Sequence, residues 1–184
     1  VTREQKVGAK AGNINNALRQ ATGEIAVIVD PDHEIAPFFL ERVLGFFDDP
    51  EVGFVQCVQG YYNQDESLIA RGAAEQTYHF YGPVMSGMDQ WGTVQAIGAN
   101  CAFRRAALDS IEGHATGLAE DMATTLKLYA EGWKSVYIPE MLSRGLVPNT
   151  YAAYTKQQLK WACGVWDILI ETFPAAFGKV SWAN

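Results

Sequence analysis

The chain has 184 residues, with 14 Lys and Arg against 21 Asp and Glu and a formal net charge of −7. At 48% hydrophobic, 12% aromatic and 19% charged, it is too apolar for a disordered chain and long enough for one domain or a large piece of one. The acidic balance, without a Lys/Arg cluster, excludes a surface built to neutralise nucleic-acid phosphates.

Cys57, Cys101 and Cys163 are odd in number and far apart, with no CxxC pair, which fits a reducing, cytoplasm-facing location. An apolar run of about 18 residues is absent, as are the basic and apolar regions of a signal peptide. The chain itself is therefore expected neither to span a membrane nor to carry a signal peptide. It starts at Val1 and enters a motif almost at once, which reads as an excerpt from a longer polypeptide.

In chain order, Ile14, Ala17, Leu18 and Ala21 follow helical spacing, with Asn13 as N-cap and Gly23 as stop. Residues 25–29 form a short Ile/Ala/Val run, the pattern of a strand covered on both faces, and it ends at Asp30-Pro31-Asp32. Pro37 opens a second helix carrying Phe39, Val43, Leu44 and Phe47, which Asp48-Asp49-Pro50 closes. A strand is expected over 52–58 and a helix over 67–81. Gly82, Pro83, Gly87 and Gly92 mark 82–92 as a loop, and strand signals return over 93–97. Met122, Leu126 and Tyr129 share a helical face that Gly132 terminates, and 135–138 alternates as a strand before Pro139. This interleaving implies an α/β fold with a largely parallel sheet and crossover helices. At the C-terminal end Leu159, Ala162, Trp166, Leu169 and Phe173 recur at steps of 3, 4, 3 and 4. That is an amphipathic helix, packed on its own core or lying at a membrane interface with Trp161, Trp166, Phe173 and Phe177 as anchors.

Four segments carry chemistry. Asp30-Pro31-Asp32-His33 follows a buried strand, where open α/β sheets place ligands. Two carboxylates one residue apart suit a divalent cation that also takes phosphate oxygens, and they equally suit a turn in which Asp caps a helix. Lys10-Ala11-Gly12-Asn13 stands before the first expected helix, where free N–H groups and the Lys10 charge would meet a phosphate; an ordinary Asn cap gives the same pattern. Glu120-Asp121 opens a helix whose dipole keeps Asp121 ionised, as a base must be, or merely serves the helix. Gln157, Lys160 and Trp161 share one helix face at i, i+3 and i+4. There an indole stacks on a sugar ring while amide and amine reach its hydroxyls or phosphates, or else simply fills a core.

The order of these segments is more specific than any one of them: KAGNIN, DPDH after a strand, VQ with a Tyr/Asn stretch at 58–63, the FYG and QWG segments, GANCAFRR, AED and QQLKW. Together they resemble the cellulose synthase branch of glycosyltransferase family 2 over nearly the whole chain. The resemblance implies a Rossmann-like GT-A fold with a mixed, mostly parallel sheet and flanking helices, incomplete at its N-terminus, and a C-terminal amphipathic interfacial helix. Residues 1–150 would be the central GT-A part and 151–184 the acceptor-side helix with the interfacial segment. The implied activity is processive, inverting transfer of glucose from UDP-glucose to a β-1,4-glucan with Mg²⁺ or Mn²⁺, at the cytoplasmic face of the cell membrane within a larger integral membrane protein.

By motif, Asp30 and Asp32 match the DxD pair for metal and nucleotide diphosphate, Lys10 and Asn13 the segment beside the nucleotide, and Asp121 the general base of TED. Gln157, Lys160 and Trp161 match QxxRW at the acceptor end. Ala119 stands where TED has Thr and Lys160 where QxxRW has Arg, the latter exchanging a bidentate donor for a point charge. The family's upstream uridine-contacting strand, transmembrane helices and gating loop fall outside this sequence. The alternatives are a nonprocessive family-2 transferase and a noncatalytic glucan- or nucleotide-binding module.

Overall fold

A computed structural model describes residues 8–180. Helix α1 (Ala9–Leu18) leads into β1 (Ile25–Ile28), β2 (Glu34–Ile35), α2 (Phe39–Val43) with a 3-10 turn at Leu44–Asp48, and the long β3 (Val52–Tyr61). Then come α3 (Leu68–His79), a π-turn (Phe80–Val84), α4 (Met85–Gln90), β4 (Cys101–Arg104), α5 (Arg105–Ser110), α6 (Glu120–Ala130) and β5 (Lys134–Gly145). Helix α7 (Tyr151–Asp167), a π-turn (Ile168–Thr172) and α8 (Phe173–Ala176) complete the chain. The interfacial segment expected to reach residue 184 thus extends beyond the described residues.

The five strands form one sheet in the order β1-β4-β3-β5-β2. The expected mixed α/β sheet is present, but its parallel share is smaller than the interleaving implied. Strands β1, β3 and β5 share a direction, yet only β3 and β5 pair in parallel, because β4 runs antiparallel between β1 and β3 and β2 runs antiparallel along β5. Strand β3 is buried over most of its length because both faces are covered. Phe54 packs with Phe103, Leu108, Leu128 and Met85 on one side, while Val55 and Cys57 pack with Phe39, Val43, Ile138 and Leu142 on the other.

The strands expected over 52–58 and 135–138 run on to Tyr61 and, through Pro139, to Gly145, and three further expectations shift, each for a local reason. Helix α1 starts at Ala9 behind a left-handed Gly8, and Gly12 N–H donates to Gly8 O at 2.7 Å. Asn13 is therefore inside the helix rather than its cap. The helix closes at Leu18, as the N–H groups of Gln20 and Ala21 both donate to Ala17 O. The stretch 82–92 is not a loop: α3 continues through the π-turn into α4, the wider turn accommodates Pro83, and Tyr81 and Met85 are buried beneath it. The stretch 93–97 joins no strand. Ala96 N–H donates to Thr125 Oγ1 at 3.0 Å and Ile97 N–H to Gln56 Oε1 at 3.0 Å, so side chains replace the ladder.

Candidate active site

The carboxyl end of β1, the loop before β4, the start of α6 and the first half of α7 converge on one cleft of about 960 Å³. Its lining includes Lys10, Asp30, Asp32, Asp121, Gln157, Lys160 and Trp161. Seven of the eight residues singled out from the sequence therefore meet in one place. Asn13 does not: it is exposed on α1 and lines no part of the cleft. Lys10, expected ahead of a helix terminus, instead stands in the first turn of α1. Its ammonium pairs with the Asp30 carboxylate and donates to Gly98 O.

Donor atoms of Asp30, Asp32 and His33 lie within 4.8 Å of one another. The imidazole is held by Nδ1 against Asp32 Oδ1 at 3.2 Å, and its buried Nε2 has no partner. Gly145 makes room for the ring, since a Cβ there would lie 2.4 Å from His33 Cε1. Two carboxylates and an imidazole at this spacing suit one divalent cation.

Asp121 sits in the first turn of α6 and accepts the Met122 N–H at 2.8 Å. Burial, with a smaller contribution from the Glu120 carboxylate, pushes its carboxyl up to about 6, against the opposing effects of the Met122 hydrogen bond and the Lys10 charge. Such a group is ionised at neutral pH and is a much stronger base than an exposed carboxylate.

The support for this constellation comes from residues the motifs did not single out. Gln56 and Asn100 are fully buried. Gln56 Nε2 donates to Asn100 Oδ1 at 3.0 Å, and Asn100 Nδ2 donates to Val58 O at 3.0 Å. Asn100 has φ +43° and Gly98 φ +75°, so this amide pair pins a contorted loop onto β3. On the other side Asn15 accepts the His114 N–H at 2.7 Å and donates to His114 O at 2.8 Å. Thr124 Oγ1 accepts the Ala115 N–H at 2.9 Å and donates to Glu120 O at 2.6 Å. Helix α1, which carries Lys10, is thereby tied to the start of α6, which carries Asp121. One signal was visible: Gln56 interrupts the otherwise apolar stretch 52–58.

The sequence matches the family described as glycosyltransferase like family 2 over residues 1–164. It is 34% identical to cellulose synthase 2 of Novacetimonas hansenii over 99% of this chain, and 36% identical to a UDP-forming cellulose synthase catalytic subunit of Dictyostelium discoideum over 94%. The chain belongs to glycosyltransferase family 2, in its cellulose synthase branch. It spans 12% and 17% of the length of those two relatives. Among solved structures, a mannosyltransferase from Pyrobaculum calidifontis in complex with GDP-Man and Mn²⁺ superposes with a TM-score of 0.69 at 27% identity, covering 100% of this chain and 48% of that one. Glucosyl-3-phosphoglycerate synthase from Mycobacterium tuberculosis, in complex with Mn²⁺ and UDP-glucose, shares the fold at TM-score 0.53 and 12% identity, over 91% of this chain and 55% of its own. The fold is GT-A.

Proposed function

We propose that this chain is the catalytic portion of a processive, inverting glycosyltransferase that moves glucose from UDP-glucose to the growing end of a β-1,4-glucan. The observation that carries the reading is the position of Asp121, a carboxylate raised to about 6, in one cleft with the Asp30/Asp32 pair and the Gln157/Lys160/Trp161 face. Asp121 accepts the proton of the acceptor hydroxyl as its oxygen attacks the anomeric carbon. The bond to the diphosphate breaks in the same displacement, and the diphosphate leaves with the electron pair. Trp161 offers its indole to the terminal sugar, and Gln157 and Lys160 reach its hydroxyls. The donor set Asp30, Asp32 and His33 would hold Mg²⁺ or Mn²⁺, which when bound offsets charge on the departing nucleotide. Lys10, already beside Asp30, adds a positive charge to the same wall.

The C-terminal helices favour a membrane partner. Among the described residues no helix is long and apolar enough to cross a bilayer. However, Trp166 is 62% exposed, Ile170 69% and Phe177 72%, an apolar face suited to lying along the cytoplasmic leaflet. The parent protein would hold the domain there.

The test is nucleotide release and glucan formation from UDP-glucose by the intact protein in membranes, wild type against Asp121→Asn. Release and polymer in the wild type, with both lost in the variant, support the assignment. Equal rates remove Asp121 from the reaction, and glucan binding without turnover of any UDP- or GDP-sugar favours the noncatalytic module.

A further inference from the structure

Helix α7 meets the segment that leads into α6 through backbone rather than through a bulky side chain. Gly164 is its one buried residue. A Cβ placed there would lie 2.7 Å from Ala119 Cβ, 2.9 Å from Ala119 N and 3.1 Å from the Leu118 carbonyl carbon. Those contacts lie on the segment that caps α6, two residues before Asp121. Gly164 also follows Gln157, Lys160 and Trp161 at i+7, i+4 and i+3, so the face presented to the cleft is the face seated on the base's helix. Elsewhere α7 is held to α3 by the Tyr154 ring, packed on the cluster that includes Ala70, Ala73 and Ala74, and by polar contacts, Tyr154 Oη donating to Gln76 Oε1 at 2.8 Å and Gln76 Nε2 to Gln158 Oε1 at 3.2 Å.

We propose that Gly164 and Ala119 form a seat that sets the position of Trp161 relative to Asp121, making both positioning residues for the acceptor. This rests on the roles given to Asp121 and Trp161 above. The residue that departs from the TED pattern is then the one at the contact: its methyl fills the space that Gly164 leaves. Because the flanking atoms are the Ala119 methyl, which has no other rotamer, and the backbone of 118–119 just ahead of α6, a side chain at 164 cannot be relieved by a rotamer change and must lift α7. Asp30, Asp32 and Lys10 lie on other elements and stay in place. With the acceptor hydroxyl displaced and Asp121 still present, water takes its place: its oxygen bonds to the anomeric carbon, its proton passes to Asp121, and the bond to the diphosphate breaks.

The readout is nucleotide released per sugar incorporated, measured with the intact protein in membranes together with donor KM and thermal melting. For Gly164→Ala and Ala119→Val we expect an unchanged donor KM and a release-to-incorporation ratio raised about tenfold or more, a misplacement of under an ångström being enough for that. The double variant Ala119→Gly/Gly164→Ala removes the tightest contact and recovers part of the ratio. Release and incorporation falling together in folded single variants, or an unchanged ratio, overturns the proposal. If both enlarging variants fail to fold, Ala119→Gly decides: it empties the seat without crowding it, a raised ratio supports the proposal and an unchanged one overturns it. A wild type that turns over no nucleotide sugar overturns the proposed function itself, and that result is visible before any variant is made.

Discussion

Gly98 faces the carboxylate of Asp121 so closely that a Cβ there would lie 3.2 Å from Oδ2 and 3.3 Å from Lys10 Nζ. Its φ of +75° excludes most side chains independently. Gly98→Ala is therefore expected to lose about 1–2 kcal/mol of stability from backbone strain and to push the base and the ammonium apart. Urea denaturation checks the first effect. Nucleotide release checks the second, which should fall by more than the loss of folded protein explains.

Asp121 makes opposite predictions for rate and stability. Its carboxyl titrates near 6 in the folded protein against an ordinary 3.8. Turnover that needs the ionised form falls as pH drops through about 6, by roughly tenfold at pH 5. Between the two values the folded chain binds a proton that the unfolded chain releases, so stability falls as pH rises through this window, and the buried charge remains a cost above it. Asp121→Asn should be inactive yet more stable at pH 7.5, by at most about 3 kcal/mol. A variant no more stable than wild type at that pH would contradict the burial of the charge.

Removing Gln56 should damage the site without touching it. Gln56→Ala takes the partner from the Ile97 N–H and from Asn100 Oδ1 beside a fully buried amide pair, while Asn100 Nδ2 keeps its bond to Val58 O. The expected loss is about 3 kcal/mol, read by chemical denaturation, with faster amide exchange at Ile97.

Mn²⁺ titration followed by electron paramagnetic resonance tests the acidic cluster separately from turnover. Wild-type protein should bind the ion, and Asp30→Asn or Asp32→Asn should weaken binding at least about tenfold. Absence of binding in the wild type would remove the cation from the site.

Much of the site was legible because its groups are polar residues at positions where secondary structure ends. Asp30 and Asp32 follow a short apolar run, Asp121 opens a helix, and Gln157, Lys160 and Trp161 follow helical spacing. Asn13 misled because an Asn before apolar periodicity reads as a cap, whereas the left-handed Gly8 starts α1 earlier. The π-turn hid α4, since a wide turn tolerates the Pro83 that an ordinary helix would exclude. The parallel share of the sheet was overestimated because sequence spacing does not disclose that β4 lies between β1 and β3. Gly164 left no signal, as its role is the space it leaves for Ala119, and that space exists only once the helices are packed.

The stretch 93–97 has the composition of a strand, but its partner is assembled from side chains: Thr125 and Gln56 accept N–H groups of Ala96 and Ile97, and Tyr129 donates to Val94 O. A neighbouring backbone would offer the same donors and acceptors whatever its residues were, so an ordinary ladder is indifferent to sequence. Here three identities take over that work. A substitution scan of this protein should show Gln56, Thr125 and Tyr129 as intolerant as the cleft itself, a second set of restricted positions standing one layer behind the chemistry.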